Sequence, residues 1–361
     1  MKMRKIVCSF MISVVCFMTA ISGVSATSYD TSKINAAYSK VVEYYENNNN
    51  LNNADKILAV ESLGLEAESN QFDTSSADLS STSLSKKIVT EVLLGVDPTE
   101  DKKTLESQID ENGNVEGSWG ASSDVWTLYA LYVTSSEKTN LIANKLNDEL
   151  AASSVCGYEW GGTYYADYDT TGWVIEGLAV VNKEKYATTI NKAIDYIKNN
   201  TTMTTTGWVT ADNVDTQSQV LEGMFAYDTN ALLNDSYTVH PVDCLLNTQL
   251  SDGSFPSGYN AEYTTAEVAK TLGTYKNGSV IIKAKKAYDK MMNPEQPDNT
   301  KPAQPTDTKK DSQSTNKVET TNQKTTSVKT GDETNVVIFV SLSMVSGGLF
   351  LVLRKEYERV H

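Results

Sequence analysis

The sequence predicts an all-α protein built from repeated helical hairpins, on three observations. Four segments superpose without gaps, and their last apolar column falls at Leu131, Leu178, Met224 and Leu272, with steps of 47, 46 and 48 residues. Each segment places apolar residues at helical spacing behind a Ser/Thr column (Ser123, Thr170, Thr216, Thr264), and such residues start helices. No stretch shows the convincing period-two alternation of a half-buried strand. A period of this length marks a unit that buries its apolar face only against its neighbours.

Along the chain, Lys2, Arg4 and Lys5 precede an apolar run over 6–21 and the small residues Val24-Ser25-Ala26. This is the pattern of a secretory signal peptide over 1–26, cleaved between Ala26 and Thr27. Cleavage removes Cys8 and Cys16 and leaves Cys156 and Cys244, 88 positions apart, whose pairing in an oxidising exterior stays open. The body, 27–292, opens with amphipathic stretches over 34–45, 54–63 and 84–94 that do not join the repeat. The repeating helices start at Ser122, Asp169, Asp215 and Tyr263, and second helices fit between them, as over 183–198 and 279–292, for roughly eleven in all. Glycine costs about 1 kcal/mol inside a helix, so the small column Ala130, Gly177, Gly223 and Thr271 implies close helix packing. Ahead of each repeating helix stands a glycine with an aromatic residue: Gly117 with Trp119, Gly157 with Trp160, Gly207 with Trp208, Gly253 with Phe255. These predict loops with a docked ring. From 293 to 329 the chain is rich in Pro, Thr, Gln, Asn and Lys and predicts a disordered stalk. An uncharged run over 336–353, followed by Arg354 and Lys355, predicts a transmembrane helix with a cytoplasmic basic end.

Charge and composition remove several functions. With 31 Lys+Arg against 46 Asp+Glu the net charge is −15, and the body alone carries −18. No basic footprint for nucleic acid exists. Two histidines, His240 and His361, and four cysteines without a CxxC pair leave no ordinary metal site, and no cofactor is expected.

Two resemblances follow. The Lys329-Thr330-Gly331-Asp332 run, the apolar segment and the basic tail over 330–361 resemble the cell-wall sorting signal of Gram-positive surface proteins, with Ser327 and Val328 in place of Leu and Pro. Either a sortase cuts between Thr330 and Gly331 or the helix remains as the anchor; both tether the chain outside the cell, at the cell wall or membrane. Gln249-Leu250-Ser251-Asp252-Gly253-Ser254-Phe255 resembles the Gln-x-x-x-Gly-x-Phe/Trp repeat of the terpenoid cyclase and prenyltransferase superfamily, and Gln108 with Gly117-Ser118-Trp119 is similar to a loosened copy. The resemblance implies an α/α toroid of helical hairpins; an open α-solenoid is the alternative.

The activities of that superfamily lack their residues here. The nearest approach to an Asp-x-Asp-Asp motif is Asp167-Tyr168-Asp169, followed by Thr170. The Asp/Cys/His zinc set is reduced to His240, Asp243 and Cys244 in one short segment, and Cys156-Gly157-Tyr158-Glu159 has Glu where a thioester needs Gln. The expectation is therefore a surface-anchored toroid that binds a ligand or partner without catalysis, the ligand being a glycan, an isoprenoid or a corrinoid-like ring as in similar cobalamin carriers. The expected site lies at the helix starts, on Tyr165, Tyr168, Asp169, Thr170, Asp215, Gln217, Tyr263 and Thr264, with Asp169 and Asp215 capping their helices. Two alternatives stand beside it. One is a glycan-active hydrolase or lyase using Glu176 and Glu222, which share a repeat column with Tyr129 and Lys270. The other is a purely structural or adhesive surface module.

Overall fold

Short polar side chains open most of the helices. The computed structural model describes residues 29–68, 74, 80–203 and 213–294, and among them lie eleven helices and one hairpin. The helices are α1 (Ser32–Asn47), α2 (Ala54–Ser62), α3 (Ser81–Leu93), α4 (Thr99–Ser107), α5 (Ala121–Val133), α6 (Thr139–Ser153), α7 (Tyr168–Asn200), α8 (Val214–Asn234), α9 (Pro241–Leu246), α10 (Ala261–Asn277) and α11 (Val280–Met292). The strands are β1 (Gly157–Trp160) and β2 (Thr163–Ala166). The expected signal peptide with its Ala26–Thr27 junction, Trp208, the Thr330–Gly331 junction and the apolar run 336–353 lie outside the described residues, as does the stalk from 295 on. No helix among the described residues is long and apolar enough to cross a membrane. The chain divides into two compact units after Asp289, and the helices up to that point belong to the first.

The caps sit slightly upstream of where the repeat placed them. Asp167 accepts from the Thr170 amide at 3.0 Å and Asn260 from the Tyr263 amide at 3.1 Å. Helices α7 and α10 therefore start at Tyr168 and Ala261, and Asp169 falls in a first turn rather than at the cap. Asp215 likewise lies in the first turn of α8, after Asn213. Both α7 and α8 contain one non-helical residue, Asn182 and Asp228, 46 positions apart, where the chain turns into a second helical arm. Each side chain caps the arm that follows: Asn182 Oδ1 accepts from the Lys185 amide at 3.0 Å and Asp228 Oδ1 from the Ala231 amide at 2.9 Å. One polar residue thus replaces a whole loop.

Helix contacts run in a cycle: α2 touches α3, α3 touches α5, α5 touches α7, α7 touches α8, α8 touches α10, and α10 touches α2. Lys56 pairs with Glu262 near the starts of α2 and α10, while Ser62 Oγ at the end of α2 donates to the Ala269 carbonyl half-way along α10, so these two helices run parallel. Gly172 against Gln219 and, one turn on, Ile175 against Gly223 give the same sense to α7 and α8. Helix α5, the first arms of α7 and α8, and most of α10 are buried on nearly every face, as central helices must be. The small column explains itself here. A Cβ at Gly223 would stand 2.3 Å from the Gly172 carbonyl oxygen, so the backbones of α7 and α8 touch. The 249–255 motif joins the last unit to the first helix: Gln249 Nε2 donates to the Ala37 carbonyl of α1 at 3.0 Å, and Phe255 is fully buried.

Candidate functional site

The repeat column Tyr129, Glu176, Glu222, Lys270 converges at the centre of the cycle. Tyr129 Oη lies 3.0 Å from Glu176 Oε2, and Ser279 Oγ donates to Glu176 Oε1 at 2.6 Å. Lys270 Nζ is 3.8 Å from Glu222 Oε2 and 2.9 Å from Glu267 Oε2, with the Trp126 ring centre 5.6 Å away. Gln219 Nε2 also donates to Glu267 Oε2, at 3.1 Å. Glu267 was outside the repeat argument because it sits one turn before Lys270, on the same helix. Burial pushes the Glu222 carboxyl well above the usual carboxylate range; Lys270 opposes this, while Glu176 and Glu267 add to it. Burial likewise raises the Glu176 and Glu267 carboxyls. Burial alone would lower Lys270, but Glu222 and Glu267 hold its ammonium above its ordinary value. Glu176 and Glu222 are only 3% and 1% exposed, and both are engaged by side chains of the protein. Glu222 shares the Lys270 ammonium with Glu267, Glu176 is held by Tyr129 and Ser279, and no open face for a sugar ring lies on either carboxyl.

The eight residues expected to form a mouth separate into two sets. Thr170, Gln217 and Thr264 are fully buried, and Tyr263 and Asp215 nearly so. Gln217 Nε2 donates to the Pro241 carbonyl, fastening α8 to α9 instead of facing a ligand. Tyr263 Oη reaches the buried cluster through Gln219 Nε2 at 3.4 Å. Asp169 stays nearer the surface beside Asp167 and Asp215, and burial followed by those two neighbours raises its carboxyl well above the usual range. Tyr259 donates to Asp215 Oδ2, closing that side. Tyr165 and, less so, Tyr168 remain accessible.

Tyr165 belongs to a feature the periodicity did not predict, a β-hairpin between α6 and α7. Its strands pair Tyr158 with Tyr165 and Trp160 with Thr163 around Gly161-Gly162, both at positive φ, as a tight two-residue turn requires. Alternation puts Tyr158, Trp160 and Tyr165 on one face and Glu159 and Tyr164 on the other. On the first face Tyr158 and Tyr165 stack at 5.5 Å and 19°, and Trp160 stacks on Trp119 at 5.4 Å and 10°. Trp119 and Trp160 are 52% and 38% exposed. The expected docking of loop aromatics holds for Phe255 and fails for these two, because each tryptophan covers the other instead of entering the core. The hairpin is held at three points: the Cys156 amide donates to Thr171 Oγ1 at 2.9 Å, the Glu159 amide to the Trp119 carbonyl at 3.2 Å, and Tyr164 Oη to Glu149 Oε1 at 3.2 Å. Three exposed rings, Trp119, Trp160 and Tyr165, backed by the half-buried Tyr158 on a fixed scaffold, are unusual for a surface with no partner.

Cys156 and Cys244 are both free thiols, and burial raises each. His240 is the cap of α9, its Nδ1 accepting from the Val242 amide at 3.3 Å, with its ring against Tyr29 and Tyr237. Among the described residues no group of His, Cys, Asp and Glu is placed to hold a metal ion. No protein-family model, characterised protein or solved structure matches this chain.

Proposed function

We propose that this protein is a surface-displayed, non-catalytic binding module: an α/α toroid exported by the N-terminal signal, carried on the 293–329 stalk, and tethered outside the cell by its C-terminal segment. The observation that carries the binding role is the aromatic face of the hairpin, the exposed Trp160 and Tyr165 with the half-buried Tyr158, joined by the exposed Trp119 of the loop before α5, at the helix-start end of the cycle. Flat aromatic faces stack on the C–H faces of pyranose rings, the contact by which such a surface recognises a sugar. No lysine or arginine occurs between Lys145 and Lys183, so the hairpin carries no cation of its own for a polyanion. A neutral glycan is the ligand class this surface fits. The absence of catalysis is supported by the engagement of Glu176 and Glu222 with Tyr129, Ser279 and Lys270.

The test uses the full-length chain and soluble β-glucan, mannan and chitin oligomers, read by tryptophan fluorescence and by pull-down on the insoluble polymers. At least one glycan is expected to bind, and Trp160→Ala with Trp119→Ala to remove that binding with the helical circular dichroism unchanged. Glycan binding that survives the double substitution sinks the placement. Release of reducing ends by the wild-type chain, lost in Glu176→Gln, would establish the hydrolase alternative instead.

A further inference from the structure

We infer that the cleft between the α1–α2 loop and the first turn of α10 is a second binding site, for one neutral, hydroxylated molecule of monosaccharide size. It is a cavity of about 300 Å³ lined by Tyr44, Tyr45, asparagines 47 to 50, Lys56 and Glu262. That volume is at the small end for ligand sites, so it admits a single ring and not a chain. Such sites are mostly apolar, whereas this one is walled largely by amides and one ion pair, which selects against a hydrocarbon.

The walls define the ligand further. Tyr45 is buried and meets Tyr44 edge to face at 5.2 Å and 89°, which fixes the Tyr44 ring as a platform at the rim. The Asn47 and Asn48 amide nitrogens donate to the carbonyls of Glu43 and Tyr44, at 2.9 and 2.8 Å. Each bond uses one of the two N–H groups of its amide, so each asparagine keeps a second N–H to donate and its Oδ1 to accept. Lys56 Nζ pairs with Glu262 at 3.0 Å and donates to Asn52 Oδ1 at 3.1 Å, leaving a third N–H. The pair cancels its own charge: an anion would face Glu262 and a body of net charge −18, and a cation would face Lys56. A pyranose or cyclic polyol fits each feature, since every hydroxyl both donates and accepts and the ring offers a C–H face to Tyr44. The cleft lies at the α10–α2 contact and the hairpin between α5 and α7, so the two sites belong to different parts of the cycle. This inference is independent of the role proposed for the hairpin.

The experiment labels the asparagine side chains of the full-length chain with ¹⁵N and titrates it with glucose, N-acetylglucosamine and myo-inositol, following the amide resonances. Saturable shifts below about 10 mM are expected with at least one of the three, a range suited to a single-ring ligand. Asn50→Trp, which fills the cleft from an exposed position, is expected to abolish the shifts, and Tyr44→Ala to weaken binding about tenfold, the loss of one stacking contact. Trp160→Ala is expected to leave them unchanged. The inference is overturned if none of the three probes gives saturable shifts, or if the shifts persist in Asn50→Trp. It also fails if Trp160→Ala alone removes them, an outcome that leaves the hairpin as the sugar site and the proposed function intact.

Discussion

Lys270 stands between Glu222 and Glu267 with almost no solvent, and each of these groups depends on the others. Removing the ammonium leaves buried carboxylates without a counter-charge, which costs about 3–5 kcal/mol when one partner of a buried pair is deleted. Lys270→Met is therefore expected to lose that much stability at pH 8, measured by urea unfolding, and to regain most of it at pH 5 as the carboxyls take up protons. The wild type has the same sign. Glu176, Glu222 and Glu267 have folded-state pKa values raised above their ordinary ones, so the folded chain binds more protons than the unfolded chain above the carboxylate range, and stability falls as pH rises. Glu91 gives a definite window: burial, then Asp101, push its carboxyl from 4.5 up to about 7. Asp97, Asp110 and Asp252, held low by hydrogen bonds to Thr99, Asn114 and Ser254, act oppositely and only in more acid solution. The melting temperature is expected to be higher at pH 5.5 than at pH 8, with Glu91→Gln reducing the difference. The column Tyr129, Glu176, Glu222, Lys270 was legible in the sequence because equal phase in a repeat means equal position. Its chemistry was not, since nothing in the spacing said that the column would be sealed by Glu267, Gln219 and Ser279 from outside it.

At the scale of helices and strands, the glycines separate by what they touch. Gly223 and Gly172 bring two backbones together, and neither carbonyl can move without shifting a helix. A Cβ at Gly177 would instead meet the ends of Leu128 and Val125, at 3.1 and 3.3 Å, and side chains can give by a few tenths of an ångström. Gly223→Ala is expected to destabilise by at least about 1–3 kcal/mol, the usual cost of overpacking. Gly177→Ala is expected to be near neutral, because the ~1 kcal/mol gain in helix propensity offsets the crowding; thermal melts of the two variants decide this. Helix identity was readable from period and polar starts, and Asn182 ends the first arm of α7 just where the 183–198 helix was expected to begin. The hairpin escaped because four-residue strands are too short to show alternation, although Gly161-Gly162 between Gly157–Trp160 and Thr163–Ala166 is a hairpin turn signal. The exposure of Trp119 and Trp160 was beyond reach for the same reason: it depends on the partner that the hairpin turn delivers.

For the molecule as a whole, the α10–α2 contact joins segments about two hundred positions apart, and Gln249 adds a tie from the last unit to α1. Open repeat arrays unfold in stages from their ends, whereas a cycle has no end to fray. A single unfolding transition is expected, with fluorescence and circular dichroism coincident. Gln249→Ala, which removes bonds to the Ala37 and Gly253 carbonyls, is expected to lower its free energy by about 1–2 kcal/mol. Separate transitions for the two probes would show that closure contributes little.

The return of α10 to α2 also fixes how many units the protein can contain. In an open array an extra copy lengthens the object and leaves the other interfaces alone. Here an additional unit of 46 to 48 residues would have to enter between two helices that already touch, and the Lys56–Glu262 and Ser62–Ala269 contacts would be pulled apart. Insertion of a further unit is thus expected to cost the contacts that close the cycle. Growth and loss of length are therefore expected in the connections between helices, which can vary without touching the contacts that close the cycle.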